Sequence, residues 1–217
     1  MKKKYISIME IQTATFKDYA IFLADKESLL EVAQFVVKEN YSHHLSSFTD
    51  DEVKKDIKSV LEEEEFLYDD NTRIYIARDS YGKMIGCIRS FHWDKHKILP
   101  IEKLYGINPL NAVHNEIKYN YWHVGRFAVA KDLKLPTLSL FKRLMALAVQ
   151  PIVEDKYSYM IAEIDSKLLK VMKILGFGTH QIGKSINYLT SETIPVYSSK
   201  RGVKGFFSKY GNLCKAI

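Results

Sequence analysis

The side chains able to do chemistry in this sequence are few and scattered. His123 stands in the run Tyr121-Trp122-His123-Val124-Gly125-Arg126-Phe127-Ala128-Val129, three residues ahead of Arg126. An imidazole titrates near neutrality, so a positioned histidine can take the proton that an amine must lose to attack a carbonyl. The residue type fits a second role equally, that of a strand histidine hydrogen-bonded to a neighbour. Arg126 and Arg89 carry guanidinium forks, and a fork gripping a carboxylate fixes geometry in two directions. A structural salt bridge has the same description. His92 and His96 have the spacing of helical metal ligands, and His43-His44 are adjacent, but no third ligand motif accompanies either pair, so no metal is expected. There is no nucleophile elbow and no phosphate-binding loop. Cys87 and Cys214 lie far apart and fit neither a metal site nor a disulfide framework, for which a reducing, cytoplasmic setting is the simplest reading.

These residues must be carried by elements, and the hydrophobic pattern supplies them. Phe16 to Ala24 reads as a strand, and Glu27 to Val37 as a helix with Leu29, Leu30, Val32, Ala33, Val36 and Val37 at helical spacing. Thr49 and Glu52 form a capping box that opens a second helix with the stripe Val53, Ile57, Val60 and Leu61; Glu62 to Glu65 reads as its solvated face. Arg73–Arg78 and Met84–Phe91 are strands of a hairpin. The polar connection from Trp93 to Asn120 is long enough to be functional or to carry short structure of its own. Tyr121 to Ala130 is a strand, Leu138 to Val149 a helix, Tyr157 to Ile164 a strand, and Lys167 to Leu175 a helix closed by Gly176. Gln181 to Ser198 is strand-like, and a final basic stretch carries Val203, Phe206, Phe207 and Tyr210 at helical spacing. The alternation predicts an α/β (α+β) domain, a mixed sheet with helices on both faces.

That order resembles the GNAT acyltransferases. The resemblance implies a mostly antiparallel central sheet whose fourth and fifth strands splay around an acyl thioester. In that family the turn after the fourth strand grips the pyrophosphate of coenzyme A, since amides at a helix start attract anions. Here the turn reads Lys134-Leu135-Pro136-Thr137-Leu138-Ser139, with Lys for the family's Arg and hydroxyls for its glycines. Lys134, Thr137 as N-cap, and Ser139 are therefore the implied phosphate contacts. Many GNAT enzymes also carry a tyrosine four residues before the Gly-Phe that ends the last helix. Gly176-Phe177 is present, but that position is Met172.

Both departures resemble the branch of autoinducer (acyl-homoserine-lactone) synthases and long-chain N-acyl amino acid synthases. Trp122-His123-Val124-Gly125-Arg126-Phe127-Ala128-Val129 is similar to that branch's Trp-Glu-Leu-Ser-Arg-Phe-Ala pattern. Tyr68 to Ile76, Met84 to Arg89, Ile98-Leu99-Pro100 and Ile186 to Val196 resemble its neighbouring segments, so the likeness spans Tyr68 to Ser198. It implies that Arg126, Arg89 and Asp70 shape the cleft. It also implies that His123 stands where the family has a glutamate base, and that a backbone amide at Phe127 or Val129 stabilises the oxyanion. Phe141, Met145, Met160 and Ala162 would line the acyl tunnel. Gly125 marks a bulge or a close approach.

Composition agrees with a globular enzyme. The 217 residues suit one domain, 1–217, with 198–217 as a basic amphipathic extension; 47% are hydrophobic and 27% charged. No apolar run reaches membrane-spanning length, and no signal-peptide core follows the basic Met1-Lys2-Lys3-Lys4. The net charge of +6 and the basic C-terminal stretch suit an acidic acyl carrier protein or an anionic membrane surface; nucleic acid is not expected. The expectation is transfer of a medium or long acyl chain from a carrier-protein or coenzyme A thioester to a small amine or amino acid, with no tightly bound cofactor. Its rivals are an ordinary acetyl-coenzyme A N-acetyltransferase and a catalytically silent acyl-binding module.

Overall fold

A computed structural model describes residues 10–42, 48–113, 119–133 and 136–214. The elements are β1 (Ile11–Thr15), β2 (Tyr19–Ala24), α1 (Leu29–Ser42), α2 (Asp50–Leu67), β3 (Thr72–Asp79), β4 (Met84–His92), α3 (Pro100–Tyr105) and α4 (Pro109–Ala112). They continue with β5 (Asn120–Val129), α5 (Thr137–Glu154), β6 (Ser158–Asp165), α6 (Ser166–Ile174), β7 (His180–Gln181), β8 (Ile186–Tyr188), β9 (Ser191–Ser199) and α7 (Lys200–Tyr210). One sheet runs β1-β2-β3-β4-β5-β6-β9-β7, with β8 also paired to β9. Every pairing is antiparallel except β5 with β6.

Strand alternation sorts the core onto two faces. Tyr75 and Ala77 of β3 join the cluster built on α5, while Ile74 and Ile76 join the cluster that packs Leu29, Val32 and Val36 of α1. The capping box of α2 is formed: Glu52 N–H donates to the Thr49 hydroxyl, and the Glu52 carboxylate accepts from Thr49 N–H. The connection after β4 carries the two short helices α3 and α4.

Three expectations are corrected. The first strand is two strands, since Phe16 to Asp18 turns between β1 and β2; β1 is a mostly exposed edge with only Ala14 buried, too weak a pattern to see in sequence. The Gln181–Ser198 strand is β7, β8 and β9, broken by a tight turn at Leu189 and Thr190, both with positive φ. The C-terminal stretch begins at α7, because Ser198 and Ser199 belong to β9. Its apolar face is not free: Val203 and Phe206 are fully buried where α7 packs on α5, with Phe177 stacked on Phe206.

Candidate active site

The sheet splits where the chemistry was expected. β5 and β6 pair only over Asn120–His123 and Ser158–Ile161; beyond His123, β5 has no partner on that side. At the split β5 also bulges, because Arg126 and Phe127 together lie opposite the single Ile88 of β4. Arg126 takes φ +54, a left-handed conformation that costs a side-chain-bearing residue on the order of 1–3 kcal/mol. The buried Cys87 thiol donates to the Arg126 carbonyl, and burial, pushing its pKa up, keeps the proton there.

The bulge aims the Arg126 guanidinium at α2. Its Nε donates to Glu64 at 2.7 Å and its Nη2 to Glu63 at 2.8 Å. Arg89 of β4 donates through Nη1 to the same Glu64 oxygen and through Nη2 to His123 Nδ1 at 2.7 Å. Since a guanidinium can only donate, Nδ1 must accept, so the neutral ring carries its proton on Nε2 and passes it toward Glu163 Oε2, 3.0 Å away on β6. The chain from α2 to β6 is therefore Glu63–Arg126–Glu64–Arg89–His123–Glu163, and Glu64, Arg89 and His123 within it are each 1% exposed. Burial raises the Glu64 carboxyl, but Arg89 and Arg126 outweigh it and hold it below the usual carboxylate range. Burial likewise pushes Glu163 up, while the hydrogen bond from His123 and the charges of Arg89 and Arg126 bring it below its ordinary value. Both are ionised at neutrality, and Glu163 Oε1 is buried with no hydrogen-bond partner.

Gly125 is required by this packing. A Cβ there would lie 3.1 Å from His123 Cε1 and 3.2 Å from Arg89 Nη2, tighter than ordinary contact.

A cavity of about 120 Å³ threads the split. Its polar end is lined by Glu63, Arg89, His123, Arg126, Glu163 and Tyr188. On β6, Met160, Ala162 and Ile164 point to the opposite face from Glu163, and with Met145, Leu168 and Met172 they make the apolar end. Tyr188 accepts a hydrogen bond from Arg126; burial raises its phenol above the ordinary value, Arg126 opposing, so it stays protonated. The β8–β9 turn fixes it there, since Leu189 packs on Ala33, Val37 and Val60 of α1 and α2.

Of the residues expected from sequence, the structure brings Arg89, His123, Arg126, Phe127, Met145, Met160 and Ala162 to this cavity. Phe141 stands behind the lining, its ring 5.0 Å from Phe127. Val129 pairs with Gly86, outside the cavity. Asp70 does not join the arginines: it is exposed in the turn between α2 and β3, and α2 supplies the carboxylates instead. Lys134 lies outside the described residues. Thr137 is exposed as the first residue of α5, with Pro136, which makes no side-chain cap bond, in the N-cap place. Ser139 lines a separate hollow with Phe16, Tyr19 and Arg143. Both nitrogens of His123 are engaged, so its lone pair does not face the cavity as that of a free base would. The reading of Glu62 to Glu65 as a solvated face is corrected, because Glu64 is fully buried and Glu63 is bound to Arg126. Glu64 was findable: it continues the stripe 53, 57, 60 and is followed by buried Leu67 at the next turn. Tyr188 left no signal beyond being an aromatic in a strand. Among the described residues no group of three His, Cys, Asp or Glu could hold a metal, and His92 bonds Asn120.

No protein-family model matches the chain, and no curated protein matches it. Solved structures do match its fold. The N-acyl amino acid synthase FeeM from uncultured soil microbes superposes with a TM-score of 0.57 at 18% identity, over 84% of this chain and 91% of its own. The acyl-homoserine-lactone synthase LasI gives 0.58 at 12% identity, over 88% and 95%. A coenzyme A-dependent acyl-homoserine lactone synthase, BjaI, with SAM and isopentyl-CoA gives 0.54 at 14%, over 86% and 81%. The fold is thus the GNAT-like fold of the autoinducer synthases: a mostly antiparallel mixed sheet with helices on both faces and a cleft between the splayed strands β5 and β6.

Proposed function

We propose that this chain is an N-acyltransferase that moves a medium or long acyl group from a thioester to a small amine. One observation carries the reading. The cavity through the β5–β6 split has a methionine-lined apolar end and, at its polar end, an ionised carboxylate with one unoccupied oxygen. A thioester carbonyl at the boundary would have its acyl tail toward Met145, Met160 and Ala162 and its carbon toward Glu163. The fold relatives are named as synthases that join acyl groups to amino acids or form acyl-homoserine lactones, and one holds an acyl-coenzyme A.

The steps follow from the geometry. The amine attacks the carbonyl carbon, and the tetrahedral intermediate puts negative charge on oxygen. The Phe127 amide, beside the bulge, is the proposed oxyanion donor. Glu163 Oε1 takes the proton that nitrogen sheds as the C–N bond forms. His123 positions Glu163 and couples it to Arg89, in place of the direct base role expected from sequence. The C–S bond then breaks, and Tyr188, with its oxygen bound by Arg126, offers its O–H to the departing sulfur in the part that Met172 cannot play. The phenol recovers its proton from solvent and Glu163 releases there the one it took; an acceptor that enters as an ammonium gives up one further proton to solvent before it attacks, so amide and thiol are the only organic products.

The donor is coenzyme A or acyl carrier protein. Either phosphate would meet the uncapped start of α5 at Thr137. Carrier-protein docking on the C-terminal helix would rest on the exposed Arg201, Lys204 and Lys209, because the apolar positions Val203 and Phe206 are buried. The experiment is mass spectrometry of lipid extracts from cells expressing the protein, paired with thiol release from acyl donors of graded length. New N-acyl species with chain-length-dependent thiol release are expected. Their absence with every donor sinks the reading.

A further inference from the structure

We infer that the acceptor is a cationic amine with no carboxylate beside its amino group. This rests on the acyl-transfer reading and concerns the polar end of the same cavity.

Charge balance argues it first. Arg89 and Arg126 face three carboxylates, Glu63, Glu64 and Glu163, and His123 is neutral by its hydrogen bonds. Within this cluster two positive groups against three negative leave one negative charge over, at Glu163, whose Oε1 is the unoccupied acceptor; Asp165, which also lines the cavity while capping α6, adds to the negative side. An ammonium group completes this set; a zwitterionic amino acid brings a second negative charge with nothing to meet it.

The partners of the two guanidiniums argue the same way. Holding a carboxylate at a guanidinium takes two parallel N–H groups. Arg126 spends Nε and Nη2 on Glu64 and Glu63, and Arg89 spends Nη1 and Nη2 on Glu64 and His123. Arg126 also donates to Tyr188, and the buried Arg89 Nε, which has no partner, sits on a guanidinium that Glu64 already neutralises. Among the described residues lining the cavity there is no lysine and no third arginine. The Asn40 amide on the cavity wall donates to its own helix, to Val36 O.

The test uses the purified full chain, one acyl-coenzyme A donor that it turns over, and acceptors in matched pairs: serine with ethanolamine, leucine with isoamylamine, ornithine with putrescine. The primary amides of serine and leucine restore the bulk without the charge. Like charges set face to face cost several kcal/mol, so amines and amides are expected to exceed the parent amino acids in kcat/KM by about a hundredfold or more. Glu163→Gln removes the surplus negative charge and should bring that ratio toward one. The wild-type comparison stands even where the variant folds poorly. Amino acids acylated as well as or better than their partners overturn the inference and leave acyl transfer standing. Thiol release and amide product with none of these acceptors, across graded donors, remove both.

Discussion

Ala162→Phe tests where the acyl tail lies. Ala162 is 2% exposed, and its methyl group lines the apolar end with Met145, Met160 and Met172. The whole cavity, about 120 Å³ with its polar end included, is no larger than an engineered apolar cavity of about 150 Å³ that binds benzene, so a phenyl ring grafted at Ala162 occupies its apolar end. The ring displaces about six carbons of tail, and at about 0.8 kcal/mol per buried methylene the full loss is about 5 kcal/mol. Part of the displaced tail would find cover along the open mouth, so a loss of at least about 2 kcal/mol, roughly thirtyfold in kcat/KM, is the expected floor for medium and long donors. Acetyl transfer, which needs none of this space, should change little. Filling space is mild for stability when it fits, and about 1–3 kcal/mol when it overpacks, seen as a Tm drop of about 2–4 °C per kcal/mol in a chain of this size. The assay is kcat/KM against donors from acetyl to palmitoyl, with thermal unfolding alongside. A variant that keeps the wild-type chain-length profile with an unchanged Tm would show that the tail runs elsewhere, and the mechanism drawn from the split sheet would fall with it.

Glu64→Ala leaves two buried guanidiniums without their shared carboxylate and should cost about 3–5 kcal/mol in chemical denaturation; a loss under 1 kcal/mol would mean that the cluster is not held as described. Glu64 and Glu163 both titrate below their ordinary value of 4.5 in the folded chain. Their contribution is therefore fully present above about pH 4.5 and is lost as pH falls through their depressed native values, and Glu163→Gln should flatten that acid limb of a stability–pH curve. Tyr188→Phe should lower kcat by about a hundredfold with KM and Tm nearly unchanged; equal loss in KM would assign the phenol to binding instead.

The order of elements was legible because most of them carry strong periodicity; Arg89, His123 and Arg126 came from the resemblance of their strands to the synthase branch, and the structure brings them to one cavity together with Met145, Met160 and Ala162. The acidic partners were not. Four consecutive glutamates in α2 point all round the helix, and only the position of Glu64 on the apolar stripe separates it from its exposed neighbours Glu62 and Glu65. Asp70 was misplaced because nearness in sequence to β3 says nothing about reach: the turn carries it to the surface while Asp69 binds Lys97. His123 was identified by type, but the tautomer that decides its role depends on Arg89, 34 residues away. The apolar face of α7 looked available in sequence because amphipathicity names a buried side without naming what buries it.

A cluster of two arginines and three glutamates in the middle of a sheet is poor value as a fastening, since apolar replacements of such clusters often fold as well or better. Its placement explains it. A sheet that splits must leave backbone groups of β5 beyond His123 facing a cavity instead of β6, and the bulge that turns them needs a residue held at positive φ. Arg126 is that residue, and bonds to Glu63 and Glu64 on α2 offset its strain. Arg89 ties the same carboxylate to His123 and so to β6, bridging the two strands across a gap that no ladder hydrogen bonds span. The cluster therefore holds the cleft open at a fixed width and leaves its one unspent charge, Glu163, beside the space it keeps. A site meant only to bind acyl chains would need the gap and the methionines; the unpaired carboxylate oxygen is the part that acyl transfer to an amine requires.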